Sequence, residues 1–252
     1  VLLTLKSDVG AERSFFFNCA PNVDADGRVD GLVGILKDVT DLRRSEAELK
    51  KSYEKLQIAM SSTIRVISLI AESRDPYTAG HQRRVADLAA AVARELGLTD
   101  EQVRTIHMAG LIHDIGKINV PAEILSKPGK LNAGEFALIK NHPETGFNIL
   151  NKVDFAPPIA QIVYQHHEKL DGSGYPRMIS GDEIILEARI ITVADVVEAM
   201  ASHRPYRPAL GIEKALAEIR AGRGVVYDPT VVDVCVDLLM TERFRFEEDG
   251  EA

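Results

Sequence analysis

Apolar and polar residues follow a β-type pattern over the first 40 residues and a helical pattern over most of the rest. Three consecutive phenylalanines at 15–17 and the apolar run at 32–36 predict two strands, with an Asp-Gly turn at 26–27 between them. About three strands are too few to fold alone, so we expect more of this sheet upstream of Val1. The chain also opens on strand-like sequence without a methionine, and we expect it to be part of a longer protein.

Residues 41–60 are rich in charge and carry a heptad pattern. The apolar positions repeat every seven residues, with Leu42, Leu49 and Leu56 on one seam and Val39, Tyr53 and Met60 on the other. This spacing is typical of a short parallel coiled coil, which would pair two copies of the chain. A single solvated helix with accidental spacing is the alternative.

From residue 61 onward the apolar spacing is helical. Thr99 with Gln102 and Asn132 with Glu135 have the spacing of capping boxes, which predicts two helix starts. Further helices are predicted over 158–168, 182–201, 212–221 and 230–240. We therefore expect a mainly α protein, in which a β piece (1–40) and a coiled-coil helix (41–60) precede an all-helical bundle (61–240) and a polar tail (241–252).

Composition and charge exclude several classes of protein. The net charge of −8 over 252 residues leaves no broad basic surface for duplex DNA or an anionic membrane. Cys19 and Cys235 are far apart and have no CxxC partner, so a disulfide framework is not expected and a reducing cytoplasm fits best. The sequence contains neither an apolar run long enough to span a bilayer nor a signal peptide, and no membrane contact is expected.

Histidines and aspartates are concentrated in a pattern that predicts a metal centre. The candidate ligands are His81, His113, Asp114, His142, His166, His167 and Asp195. If His113 and Asp114 are adjacent on a helix, their side chains point ~100° apart. The imidazole could then bind one metal while the carboxylate bridges to a second. Asp195 lies in an apolar helical stretch, where an unpaired carboxylate would be costly to bury.

Each candidate ligand also has a simpler explanation. His142 could begin a helix, His166 and His167 could form a solvated helix end, and Asp195 could pair with Arg189. Two adjacent pairs and three spaced single residues together favour the metal interpretation. His107 and His203 have no assigned role.

A two-metal centre would suit phosphate chemistry. Two ions ~3.5–4 Å apart lower the pKa of a bridging water and hold the oxygens of an in-line phosphoryl displacement. Lys117 follows His113 by about one helical turn, so we expect it to bind a phosphate oxygen beside the metals. A surface lysine at a helix end is the alternative.

Eight short segments resemble the signature of the HD-GYP family, a subgroup of the HD-domain phosphohydrolases. They occur in order at 81–85, 113–117, 141–144, 166–168, 171–176, 193–195, 204–207 and 227–229. The resemblance covers roughly residues 61–240 and implies an all-helical domain with iron or manganese at a two- or three-metal centre. It also implies hydrolysis of the bacterial second messenger cyclic di-GMP to pGpG and then to GMP.

The resemblance assigns roles to individual residues. The seven candidate ligands match the metal ligands of the family, and Asp114 matches the ligand that bridges two metals. Asp114 and Lys117 match the catalytic residues. Lys117 matches the phosphate-binding lysine. Arg204 and Arg207 match cationic substrate contacts suited to forked recognition of phosphate or guanine. Tyr175 matches an aromatic residue that faces the ligand or a partner, with ordinary turn packing as the alternative.

Three positions depart from the family pattern. Tyr77 stands where three-metal members have a glutamate, so we expect two metals at this centre. Iron is the expected metal, with manganese as the alternative. The absence of a third metal leaves the step from pGpG to GMP open. His203 stands where an aspartate is common, and Met178 replaces a glycine.

Residues 34–42 resemble the last strand of a PAS sensor domain and its exit into a signalling helix. The predicted function is therefore that of a signalling cyclic di-GMP phosphodiesterase that works by metal-activated hydroxide. We expect it to form a homodimer through the coiled coil and to have GGDEF-type diguanylate cyclases as possible partners. Two alternatives remain: an HD phosphohydrolase for another nucleotide such as guanosine tetraphosphate, and a catalytically silent module that binds nucleotide or a partner.

Overall fold

The computed structural model describes residues 2–6, 12–74, 80–127, 129–153, 158–202 and 210–246. Its strands are β1 (Leu2–Lys6), β2 (Glu12–Val23) and β3 (Val29–Asp38). Its helices are α1 (Thr40–Arg74), α2 (His81–Glu95), α3 (Asp100–Ile112), α4 (Ala122–Leu125), α5 (Ala133–Lys140), α6 (His142–Leu150), α7 (Ile159–Gln165), α8 (Leu186–Ala201), α9 (Ile212–Ala221) and α10 (Pro229–Met240). Short 3-10 helices occur at Ile115–Asn119 and Gly181–Glu183. The chain forms two compact units, Val1–Met60 and Ser61–Ala252.

The first unit contains an antiparallel sheet in the order β1-β2-β3. Both predicted strands and the turn between them are confirmed, and Phe16 of β2 pairs with Lys37 of β3. The apolar side chains of β3 are largely exposed, with Leu32 at 74% and Ile35 at 72%. The described sheet therefore leaves much of its apolar surface uncovered.

The predicted helix after the sheet is confirmed as the start of α1, which is 35 residues long. Its beginning is held to β2, because the Thr40 hydroxyl accepts a hydrogen bond from the Ser14 amide at 2.9 Å. The seam residues Leu42, Leu49 and Leu56 are exposed. The pairing of two such helices remains a prediction.

The second unit is an all-helical bundle, as predicted. Its core includes side chains that are almost completely buried on several helices, among them Leu88 of α2, Ile106 of α3, Ile162 of α7 and Ile190 of α8. Ile64 of α1 belongs to the same core. Helix α2 packs against both α3 and α8, so residues of these three helices can meet in one place. Among the described residues, no helix combines the length and apolarity that crossing a bilayer requires.

Two predicted helix starts are confirmed, whereas two other predicted helix boundaries differ from the structure. Both capping boxes are present, at Thr99 and at Asn132. The helix predicted over 158–168 ends at Gln165, because the Glu168 amide turns back to the Gln165 carbonyl. The helix predicted over 182–201 begins only at Leu186, because a 3-10 turn occupies Gly181–Glu183. Tight local turns therefore replace α-helix at these two boundaries.

Candidate metal centre

The seven predicted ligands come together at the ends of four helices and the middle of a fifth. His81 begins α2, His142 begins α6, and Asp195 lies within α8. The two adjacent pairs follow the last residues of α3 and α7. Helix ends converge here, so residues far apart in sequence share one small volume.

The His-Asp pair lies just past the last residue of α3 rather than inside the helix. His113 caps the end of α3 with φ −57° and ψ −32°, and Asp114, with φ −92° and ψ 8°, directly precedes the 3-10 helix Ile115–Asn119. The two side chains therefore leave the backbone where one helix ends and the next begins.

The side chains form two groups that share Asp114. One group contains Asp114 with His142, His166 and His167, and the other contains Asp114 with His81 and His113. Asp114 Oδ1 lies 3.2 Å from His142 Nε2, and Asp114 Oδ2 lies 3.6 Å from His113 Nε2. A carboxylate with one oxygen toward each group is placed to bridge two cations.

The separations between donor atoms suit ligands of a common ion. Two atoms that each lie ~2.1 Å from one metal at about 90–110° are themselves about 3–3.4 Å apart. The Nε2 atoms of His142 and His166 are 3.1 Å apart, and His81 Nε2 lies 3.2 Å from Asp195 Oδ1. His113 Nε2 is buried without a hydrogen-bond partner among the described residues, as expected for a ligand atom. Imidazoles and carboxylates together suit divalent transition metals, so this cluster can hold metal ions.

Three of the imidazoles are oriented by the backbone. Nδ1 of His113, His142 and His166 lies 2.7, 2.8 and 2.6 Å from the carbonyl oxygen three residues earlier. Donation of the Nδ1 proton to that carbonyl leaves the Nε2 lone pair directed into the centre. The helix ends therefore select the tautomer that metal binding needs.

The electrostatics of the site keep most imidazoles neutral. Burial lowers the pKa of His142 to about 3 and that of His167 to about 4, and it lowers the pKa of His166 well below its ordinary range. Neutral imidazole is the ligand form. Burial also disfavours the charge of Asp114, but Lys117 and the nearby histidines hold the pKa of that carboxyl well below its usual range.

His81 differs from the other histidines because carboxylates face both of its ring nitrogens. Burial opposes its protonation, but hydrogen bonds with Asp195 and Glu198 raise the pKa of His81 to about 9. The field that favours a proton at this ring also favours a metal cation.

Sequence reasoning missed Glu198, which lies behind His81. The Glu198 carboxylate is 1% exposed and contacts His81 Nδ1, while its other oxygen accepts from Arg84 Nε at 2.7 Å and from Ser202 Oγ at 2.6 Å. A carboxylate on the far nitrogen of a ligand histidine fixes the ring and increases its basicity. Glu198 follows Asp195 by three residues on α8, and this spacing could have identified it.

The segment around Lys117 packs tightly against the site. Lys117 Nζ donates to Asp114 Oδ2 at 2.6 Å. A Cβ atom on Gly116 would lie 2.6 Å from the Gly146 amide nitrogen and even closer to the His142 carbonyl oxygen. Only glycine allows the 3-10 turn to approach α6 so closely.

The loop after α7 is held against the ligand pair by similar contacts. A Cβ atom on Gly174 would lie 2.5 Å from the His167 carbonyl oxygen, and the Tyr175 amide donates to that oxygen at 3.1 Å. The Tyr175 ring lies 4.7 Å from the His167 ring, centroid to centroid. Glu168, another residue missed from sequence, accepts from the Arg177 amide at 2.7 Å and secures the loop. Met178 has φ +54°, a region that glycine adopts more easily.

The remaining residues named from the sequence either lie outside the described residues or have partners away from the metal centre. Arg204, Arg207, Tyr77 and His203 lie outside the described residues. His107 pairs with Asp87 at 3.1 Å, away from the seven ligand candidates. Arg189 binds Asp182 and Asp228, each at 3.1 Å, and these described residues, not Asp195, are its carboxylate partners.

A family model described as HD domain matches residues 65–231, the part that carries all seven ligand candidates. The chain belongs to the HD domain family. The all-helical HD fold inferred from the motifs is confirmed, and the PAS-like resemblance of the first strands remains a prediction.

Individual relatives cover different shares of the HD chain. It is 40% identical over 205 residues to the cyclic di-GMP phosphodiesterase response regulator RpfG of Xanthomonas campestris pv. campestris, covering 81% of the chain and 53% of that protein. It is 44% identical over 160 residues to 3′3′-cGAMP-specific phosphodiesterase 3 of Vibrio cholerae, covering 64% of the chain and 35% of that protein. The chain therefore spans about half, or less, of the length of these relatives.

A solved structure supports the fold. The crystal structure of a cyclic GMP-AMP specific phosphodiesterase of V. cholerae (V-cGAP3) matches 71% of this HD chain and 49% of its own, with a TM-score of 0.56 and 20% sequence identity. At that identity the likeness concerns the fold alone.

Proposed function

We propose that this HD domain hydrolyses a cyclic dinucleotide, with cyclic di-GMP as the substrate, to pGpG, and the further step to GMP stays open. The observation that carries the proposal is the position of Asp114, which belongs to both ligand groups and directs one oxygen toward each. Curated relatives named cyclic di-GMP phosphodiesterases support the choice of reaction.

Two divalent metals, iron in preference to manganese, would be held by the seven ligands. Asp114 would bridge them, with His142, His166 and His167 on one side and His81, His113 and Asp195 on the other. Bound in this way, the metals would supply an activated hydroxide and neutralise charge on the phosphate. Glu198 and the three backbone carbonyls keep the imidazole rings in their binding orientation.

The substrate would approach from the side of the site that is open to solvent. His113, Asp114, His142 and His166 are nearly inaccessible, whereas the side chain of Lys117 is 17% exposed and that of His167 is 24% exposed. On this side Lys117 would bind a phosphate oxygen, since its ammonium group already neighbours the bridging carboxylate.

Tyr175 and Lys140 lie near the solvent-exposed side of the site, beside His167. The Tyr175 ring lies next to His167, and Lys140 Nζ lies 5.3 Å from the centre of the Tyr175 ring. Tyr175 would contact a base and Lys140 would attract the second phosphate. Arg204 and Arg207 would complete the substrate contacts.

The remainder of the chain would regulate this activity. Residues 1–40 would be the end of a PAS-like sensor, 41–60 a coiled coil that forms a homodimer, 61–240 the catalytic domain and 241–252 a polar tail. The exposed seam at Leu42, Leu49 and Leu56 supports the dimer. GGDEF-type cyclases, which make the substrate, are candidate partners. The free cysteines Cys19 and Cys235 suit a reducing cytoplasm.

A second candidate substrate is 3′3′-cGAMP. It is favoured by the 44% identity to a relative named as specific for this nucleotide. The two substrates differ in one base, so contacts to the bases would decide between them.

The test is hydrolysis by protein purified without oxygen and loaded with iron or manganese. Cyclic di-GMP, 3′3′-cGAMP and cyclic di-AMP are each incubated with the enzyme, and the products are identified by chromatography. We expect cyclic di-GMP to give pGpG or GMP. Asp114→Ala should abolish both metal binding and turnover, while Asp100→Ala, which removes an exposed aspartate from α3, should retain both.

Each outcome separates the candidates. Hydrolysis of 3′3′-cGAMP alone would replace the first substrate with the second. Metal-loaded protein that leaves all three nucleotides intact would contradict the proposed function, and full activity in Asp114→Ala would contradict the site.

A further inference from the structure

A second concave site lies in the helical unit, apart from the seven metal-ligand candidates. It is a cavity of about 750 Å³ between the end of α1, the first turns of α2, the end of α3 and residues 244–246. This volume is in the range of small-molecule sites, ~300–1,000 Å³. No metal-ligand candidate lines it, so it is not the substrate opening described above.

The walls of this cavity combine cations with aromatic rings. Arginines line it at positions 65, 83, 84 and 245, and Phe244 and Phe246 form an aromatic corner with their ring centroids 5.4 Å apart. Phe244 and Phe246 are only partly buried, so ring surface remains accessible. Guanidinium groups bind phosphate with two hydrogen bonds, and aromatic rings stack against planar bases.

The acidic residues of the cavity do not cancel this charge. Asp87 is engaged by His107 at 3.1 Å and by Arg83 at 3.8 Å. Glu72 is partly buried and accepts from the Gly80 amide at 3.4 Å. Arg65 is exposed and has no carboxylate partner among the residues that the structure describes. Arg245 also pairs with Glu242, which is not a lining residue, so the lining itself holds four arginines against two carboxylates.

One wall residue connects the cavity to the metal centre. The Arg84 guanidinium lines the cavity, and its Nε donates to Glu198 Oε1 at 2.7 Å. The other Glu198 oxygen contacts His81 Nδ1. An anion that attracts Arg84 into the cavity would weaken its bond to Glu198 and so change how firmly His81 is held.

We propose that this cavity is a second ligand site, which binds a nucleoside monophosphate and transmits its occupancy to the metal centre through Arg84 and Glu198. The phosphate contacts the arginines and the base stacks on Phe244 or Phe246. The site lies beyond the proposed catalytic function and does not depend on which cyclic dinucleotide is hydrolysed.

The first experiment measures GMP binding to the metal-loaded chain by isothermal titration calorimetry. The variant Arg65→Ala/Arg245→Ala removes two exposed cavity cations, and Lys214→Ala/Arg220→Ala removes two exposed cations from α9 as a charge-matched control. We expect the cavity variant to weaken GMP binding about tenfold or more, while the control leaves it unchanged.

A third variant, Lys117→Ala, separates the cavity from the catalytic opening. Because Lys117 does not line the cavity, the affinity of the cavity for GMP should be the same in this variant as in the original chain, while any GMP bound as product at the metal centre should bind more weakly. Absence of GMP binding, equal binding in the cavity variant, or loss of binding in Lys117→Ala would each overturn the second site.

The coupling is tested by metal titration with and without saturating GMP. Binding at one site changes the affinity at the other by the same factor, typically about 5–150-fold. We expect GMP to weaken metal binding at least about fivefold in the original chain and to have no effect in Arg65→Ala/Arg245→Ala. An equal metal affinity with and without GMP in the original chain would overturn the coupling.

Discussion

Replacement of Gly116 by alanine should move His142 away from Asp114 within the metal centre. The added Cβ atom would lie 2.6 Å from the Gly146 amide nitrogen and closer still to the His142 carbonyl oxygen. Both neighbours are backbone atoms, so no side chain can rotate away. The 3-10 turn and α6 must part by roughly 1–1.5 Å before ordinary contact distances return.

This shift acts directly on ligand geometry. Asp114 precedes the 3-10 turn and His142 begins α6, and their ligand atoms are 3.2 Å apart. A further ~1 Å takes them beyond the roughly 3–3.4 Å that two ligands of one ion allow. We expect weaker metal binding, about 100-fold lower turnover, and a loss of about 1–3 kcal/mol in the free energy of unfolding.

Three measurements check the Gly116→Ala prediction: metal per chain by mass spectrometry, the rate of cyclic di-GMP hydrolysis, and urea unfolding. Gly134→Ala is the matched control, because its Cβ would meet only Asn132 Oδ1 at 3.4 Å in the first turn of α5. Alanine should stabilise that helix by about 0.5–1 kcal/mol and leave the metal content unchanged. A Gly116→Ala protein with normal metal content and turnover would refute the reasoning.

Two further predictions concern Glu198 and Cys235. Glu198→Gln keeps the shape of the side chain but removes the charge behind His81, so metal affinity should decrease about 10–100-fold in a competition titration. The control Ser202→Ala keeps the Glu198 carboxylate and should change metal affinity much less. Equal effects of the two substitutions would contradict this role of Glu198. Burial raises the pKa of the Cys235 thiol from about 9 to about 12. Between these values the unfolded chain loses the thiol proton while the folded chain keeps it, so stability falls as pH rises, by up to about 1.4 kcal/mol per pH unit. Urea unfolding between pH 9 and pH 11 should show that the free energy of unfolding declines less steeply with pH in Cys235→Ala than in the original chain. Identical slopes in the two proteins would show that the thiol contributes nothing to this pH dependence.

The local sequence was sufficient to identify most secondary structure. Strand residues near Phe16, the heptad helix and the capping boxes at Thr99 and Asn132 all formed as expected, because these signals act between residues close in the chain. The predicted helix boundaries near Gln165 and Leu186 were misplaced, because tight turns at these positions replace the continuous helix that apolar periodicity predicts.

The site was predictable in its residue types but not in its geometry. The pairing of histidines with aspartates indicated a metal centre, since those side chains are costly to bury without a cation. Sequence could not show that α3 ends just before this His-Asp pair, nor that the following 3-10 turn packs against α6 through Gly116. Nor could it show which imidazole nitrogen is free.

The sequence by itself determined the helical class, the donor atoms and the family of this protein, because these depend on residue type and short-range spacing. Only the tertiary structure decided how the donors divide into two groups that share Asp114, and that Glu198 supports His81 from 117 positions away. The same packing placed Arg84 between the metal centre and the second cavity. Such relations depend on how closely helices can approach, and glycine positions and core packing set that distance only when the whole domain is folded.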